Sequence, residues 1–154
     1  MNFEEIERKL RVIHTQGLIL PVALKEHGLT APSIRKIVRG ENYQMESLIE
    51  YVLSLGLLLN LNDYVIFSIK ELSFVLKSVR YAEGIKQKTL YEAIKESYPS
   101  FTYGRICAVE KGRNFEKKTL LAYCAGIEKC CVTPLFWELT PGNVHLSYTD
   151  LKNL

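Results

Sequence analysis

The chain has little of what would mark a secreted, membrane-embedded, metal-dependent or catalytic protein. Its longest apolar run, Val52 to Leu61, is interrupted by Ser54, Gly56 and Asn60 and falls well short of the roughly 20 residues that cross a bilayer. The opening Met-Asn-Phe-Glu-Glu-Ile-Glu is acidic and polar, unlike a secretory signal. A soluble, cytoplasmic protein with no membrane partner is therefore expected. Cysteine is sparse and confined to one half: Cys107, Cys124, Cys130 and Cys131 contain no Cys-x-x-Cys pair, and adjacent Cys130 and Cys131 bridge only with a strained peptide. His14, His27 and His145 have no ligand-like spacing with them. Reduced, partly buried thiols, no metal and no cofactor are the expectation. No nucleophile is paired with a base, and Gly104 is isolated rather than part of a phosphate-binding loop, so an enzyme is not expected.

A strong excess of one charge sign is missing too. The net charge of the 154 residues is +3, but residues 1–72 carry eight Lys/Arg against nine Asp/Glu, and residues 73–154 carry twelve against eight. The second half is the more basic. Hydrophobic residues make up 47% and charged residues 24%, a globular rather than disordered balance.

What is present is concentrated in Gly17 to Gly40, which reads as helix, tight turn, helix. Pro21 suits a first helical turn, because its missing amide hydrogen would be unpaired there. Val22 and Leu24 follow, and Gly28 stops that helix. Thr30 then caps a second helix with Pro32 in its first turn. Ile34, Ile37 and Val38 share one buried stripe, while Ser33, Arg35, Lys36 and Arg39 fall away from it.

This arrangement resembles the helix-turn-helix of the lambda-repressor and Cro family of DNA-binding proteins, on Gly17-Leu18, Gly28-Leu29-Thr30, Ile34, Ile37 and Arg39-Gly40. The family's usual first-helix Gln and pre-Arg Glu are replaced by Leu20 and Val38. The pattern then returns. Ile106-x-x-Val109-Glu110-Lys111-Gly112-Arg113-Asn114-Phe115 follows Ile34-x-x-Ile37-Val38-Arg39-Gly40-Glu41-Asn42-Tyr43 at a constant offset of 72. Leu120, Leu121, Tyr123 and Ile127 continue it onto Leu48, Ile49, Tyr51 and Leu55. Upstream, Gly84-Ile85-Lys86-Gln87-Lys88-Thr89-Leu90 matches the family opening, Gln included, and the Gly84 to Gly112 span is five residues longer than Gly17 to Gly40. Such self-similarity argues for two related units.

The expected architecture is all-α: two tandem lambda-repressor-like helix-turn-helix domains, with one or two short strands allowed in the linker and the C-terminal tail. Domain one covers residues 1–60, a linker 61–67, domain two 68–131 and a C-terminal extension 132–154. Asn2 with Glu5 predicts a capped first helix with Ile6, Leu10 and Ile13 inside and Glu4, Arg8 and Arg11 outside. A helix from Met45 to Leu57 closes the first core on Leu48, Ile49, Val52 and Leu55. Tyr64 to Phe67 is β-prone, and Val144 to Tyr148 alternates, so these two segments are the candidates for strand pairing. Ser68 to Glu71 is a capping box opening a helix with Leu72, Val75, Leu76 and Val79 inside and Lys77 and Arg80 outside. Gln87 to about Ser97 and Tyr103 to Lys111 are the second motif's helices. Phe136 and Trp137 are expected to pack onto the domain surface.

The resemblance implies a transcriptional regulator of repressor type that binds double-stranded DNA. Its recognition helices would carry Thr30, Ser33, Arg35, Lys36 and Arg39 in the first copy and Tyr103, Arg105, Lys111 and Arg113 in the second. Arg35 suits a bidentate contact to guanine, Lys36 and Arg39 suit phosphates, and Gln87 and Lys88 resemble the phosphate-clamping start of the first motif helix. Arg113, Lys117 and Lys118 follow the second recognition helix, where family members meet phosphates. The chain acts either as a homodimer or as an intramolecular pseudo-dimer. The alternative is a protein-interaction module, an antitoxin or adaptor whose partner is a protein.

Overall fold

The computed structural model describes residues 2–17, 25–131 and 134–142. Among them it is mainly helical, with a small antiparallel sheet. Helix α1 spans Phe3–Thr15, α2 Ala31–Val38, α3 Met45–Ser54, α4 Ile69–Ala82, α5 Gln87–Ser97, α6 Tyr103–Glu110 and α7 Lys117–Cys130, and the strands are β1 Leu57–Leu61, β2 Tyr64–Ile66 and β3 Trp137–Pro141. Pro21, Val22, Leu24 and the Val144 to Tyr148 segment lie outside the described residues.

The local signals act as their chemistry requires. The Asn2 carboxamide accepts from the Glu5 amide at 3.0 Å to start α1, Thr30 accepts from Ser33 to start α2, and Ser68 accepts from Glu71 to start α4. Gly17 and Gly28 take φ of +66° and +67°, the left-handed turn that ends a helix and that residues with a Cβ enter at a cost.

The repeat is carried into structure. Ala31–Val38 and Tyr103–Glu110 are each eight residues long and start 72 apart. Each buries two aliphatic side chains, Ile34 and Ile37 in one and Ile106 and Val109 in the other. The buried side chains of both repeats nevertheless belong to one continuous core.

The sheet corrects three expectations. Helix α3 ends at Ser54 rather than Leu57, since Gly56 adopts φ +74° and turns the chain. Residues 61–67, expected to be a linker with a β-prone run at Tyr64 to Phe67, hold the end of β1, the turn and β2: Asn62 and Asp63 take φ of +49° and +68°, the two left-handed residues of a tight hairpin. The sheet order is β2-β1-β3, with Leu59 paired to Ile66 on one side and to Leu139 on the other. Thus the strand from the C-terminal segment completes a sheet begun eighty residues earlier, and three strands stand among the helices where one or two were expected. Trp137 is buried edge-on against Phe3, ring centres 5.2 Å apart, whereas Phe136, expected to pack, is exposed.

Candidate nucleic-acid interface

The repeats join at the loops that precede α3 and α7. The Met45 amide donates to the Phe115 carbonyl and the Lys117 amide to the Tyr43 carbonyl, both at 2.8 Å. The Glu46 amide donates to Asn114 Oδ1 at 3.2 Å, and the Lys118 amide to Asn42 Oδ1 at 3.1 Å. Each bond of a pair becomes the other on exchanging residues 72 apart, which defines a local pseudo-two-fold axis through the bridge between Gln44 and Glu116. Neither helix has a side-chain cap from its own N-cap residue. Each is capped by the asparagine of the other repeat, satisfying an amide that would otherwise be orphaned.

Asn42 also donates its Nδ2 hydrogen to Glu116 Oε2 at 2.7 Å. That hydrogen bond, helped by Lys118 against a smaller opposing effect of burial, holds the Glu116 carboxyl below its ordinary value. A lowered folded-state value means that the link stabilises the fold above the unfolded carboxyl range and that this contribution is lost as pH falls through the folded value. Asn42→Ala is expected to move the Glu116 titration upward in a carboxyl-detected NMR experiment. An unmoved titration would contradict Asn42 as the main cause.

Helix α2 faces solvent with Arg35, Lys36 and Arg39 exposed. The Thr30 and Ser33 hydroxyls lie 2.9 Å apart at its start. Arg11 from α1 reaches the Val38 carbonyl at 2.7 Å and fixes the helix's far end. The hollow beside Arg39, also lined by Arg8 and Arg11, has Glu4 and Glu5 on its wall, so its charge is mixed.

The second repeat carries the more basic recess. A cleft of about 640 Å³ between α4, α5 and α6 has Lys77, Lys86, Lys88 and Lys111 around it, Tyr81 and Tyr103 on its walls, and Arg80 and Glu110 at its floor. Sequence reading placed Arg80 outside, but it is buried because Glu110 meets it twice: Nε to Oε2 at 2.9 Å and Nη2 to Oε1 at 2.6 Å. Burial opposes the guanidinium charge, but the hydrogen bonds and charge of Glu110 outweigh it and raise the Arg80 pKa. Tyr123 donates to Glu110 Oε2 at 2.9 Å, and its phenol is pushed up, first by burial and then by that carboxylate.

Gln87 is only in part the free side chain expected. Its amide donates to Glu110 at 3.3 Å and its oxygen accepts from the Tyr103 hydroxyl at 3.0 Å, so it braces α5 against α6. Lys88, Lys111 and Arg113 are exposed, and Arg105 is half-buried with its guanidinium 6.0 Å from the Phe101 ring. Lys117, expected among phosphate-meeting residues, is instead committed inward to Glu7 at 2.7 Å and to the Gly40 carbonyl at 2.9 Å. Lys77, Lys86 and Tyr81 were not singled out as site residues from sequence. The available signals were the lysines flanking Gln87 and the one-turn spacing of Lys77 and Tyr81.

Among the described residues no His, Cys, Asp and Glu side chains gather as a metal site, and no helix is long and apolar enough to cross a membrane. Burial, with a smaller contribution from Glu128, pushes the Cys124 thiol far up, which disfavours the reactive thiolate. Comparison with protein-family models, with curated proteins and with solved structures finds no match to this chain.

Proposed function

We propose that the chain is a sequence-specific double-stranded DNA-binding regulator built on two helix-turn-helix units, with α2 and α6 as recognition helices. The observation that carries this reading is the repeated eight-residue helix, anchored by two buried aliphatic side chains and flanked by cations. Arg35, Lys36 and Arg39 serve the first, and Lys111 and Arg113 follow the second. A helix of this size fits the major groove, where each base pair presents its own donor and acceptor pattern. The start of α5 lacks a side-chain cap and has Lys86 and Lys88 beside it, which suits a backbone phosphate at the helix's positive end. The cytoplasm, where DNA is reached in a bacterial-type cell, is the compartment that goes with this reading.

Enrichment of a defined motif from random duplexes, with affinity falling steeply as salt rises, is the expected result. In the Arg35→Ala/Lys36→Ala variant, sequence preference should collapse by about 1–3 kcal/mol per lost base contact, while the melting temperature stays close to that of the parent. Unchanged preference in the folded variant would overturn the role of α2.

A second reading, a protein-interaction module, is favoured by one observation. Phe74 and Tyr81, seven residues apart on α4, are 65% and 63% exposed, Tyr81 also on the wall of the basic cleft, and aromatic surface that joins into a contiguous patch marks partner contact. Binding to DNA that is weak, motif-free and abolished at physiological salt would transfer the function to that surface.

A further inference from the structure

We infer that a single chain occupies both halves of an imperfectly palindromic operator, with the internal pseudo-two-fold axis lying on the operator's dyad. This rests on the DNA-binding reading above. A two-fold rotation preserves the component of any direction along its axis and reverses the component across it, so two helices related by it offer a shared side along that axis. Helices α2 and α6 are related in this way, at one offset with the same length and the same buried positions. Two small clefts flank the junction and correspond under the same exchange: Ser33, Lys36 and Asn42 line one, and Arg105, Ala108 and Asn114 line the other. Equivalent residues of the two helices therefore border the junction.

The junction holds that relation through two backbone hydrogen bonds and two exchanged asparagine caps. It places inside one chain a two-fold contact of the self-complementary kind that a symmetric dimer makes between two chains. Duplex DNA offers the same groove face again after about 10 base pairs, which a pair of helices fixed by a two-fold can meet without a second copy. The halves are unlike, however: Arg35 corresponds to Cys107, Lys36 to Ala108 and Ser33 to Arg105. Arg35 is the side chain for guanine in one half-site. In the other, Arg105, two residues nearer the helix start and over the Phe101 ring at 6.0 Å, takes that role.

Random duplexes selected on the full-length protein and sequenced, followed by native mass spectrometry on the enriched duplex, test this. Two unlike half-sites centred about 10 base pairs apart and one chain per duplex are expected. Arg35→Ala should lower affinity about 10-fold through one half-site and Arg105→Ala through the other. Asn42→Ala/Asn114→Ala should keep both half motifs while broadening the spacing between them; should that variant not fold, the two arginine variants decide. A single half-site, identical half-sites filled by two chains, or both arginine variants altering the same base pairs would overturn the inference while leaving DNA binding in place. No enriched motif at all would overturn the DNA-binding reading and the inference with it.

Discussion

Glu110→Ala is expected to destabilise the fold by about 3–5 kcal/mol, the usual cost of removing one member of a buried ion pair. The carboxylate accepts from both arms of Arg80, from Tyr123 and from Gln87. Without it, the Arg80 guanidinium keeps its bond to the Ile85 carbonyl at 2.7 Å and its place 4.6 Å from the Tyr81 ring, neither of which supplies an opposite charge. A guanidinium does not shed its charge to escape burial, so the whole penalty falls on the folded state. Arg80→Met together with Glu110→Leu should recover most of the loss, because well-packed apolar replacements of a buried pair are often neutral. Urea unfolding monitored by circular dichroism gives both values. A Glu110→Ala variant within 0.5 kcal/mol of the parent, on the order of an ordinary surface substitution, would contradict the account. The consequence extends to the basic cleft. Arg80 stands on α4, Glu110 at the end of α6 and Gln87 at the start of α5, so this one network sets how the lysine-rimmed recess is shaped.

The two repeats differ at this point. The position of Glu110 corresponds to Val38 in the first copy, which packs partly buried against the core while its carbonyl is held by Arg11. Helix α6 is thus fixed through a buried charge and α2 through backbone and apolar contact.

Features set by neighbours in sequence were legible. The caps at Asn2, Thr30 and Ser68 follow from residues three positions apart, and the limits of α5 and α6 follow from the repeated motif. What failed was set by distant partners. Leu57 reads as the end of the preceding helix and the residues up to Leu61 as no strand, because a strand buried between two others has no polar alternation to show. Its partner β3 lies about eighty residues away, beyond any local period. The β-prone run at Tyr64 to Phe67 is a local signal of the hairpin, and Asn62-Asp63 is its turn. Arg80 read as a surface residue because its position opposite Glu110 depends on how α4 crosses α6. The interchange of Asn42 and Asn114 was equally hidden, since neither caps its own helix. The repeat offset was plain in sequence, yet nothing in the sequence told that the repeats would share one core.

That sharing makes Lys117 a second large effect. Its ammonium lies 2.7 Å from Glu7 and 2.9 Å from the Gly40 carbonyl, while Tyr43 donates to the same Glu7 oxygen at 2.9 Å. The Tyr43 phenol is driven far up, by burial first and by Glu7 next. It therefore remains a donor, but it carries no charge to replace the ammonium. Lys117→Met should consequently cost about 3–5 kcal/mol, since Glu7 is left buried without a cation. Glu7→Leu added to it should return much of that loss, and the double-mutant cycle measures their coupling. Glu7 stands on α1 of the first repeat and Lys117 on α7 of the second. If the repeats were independent units, Lys117→Met would weaken one of them and split unfolding into two steps. With a continuous core from Phe3 to Leu139, the variant should lower the stability of the whole chain within one cooperative transition. Near- and far-ultraviolet circular dichroism curves that separate in the parent protein would contradict that single unit.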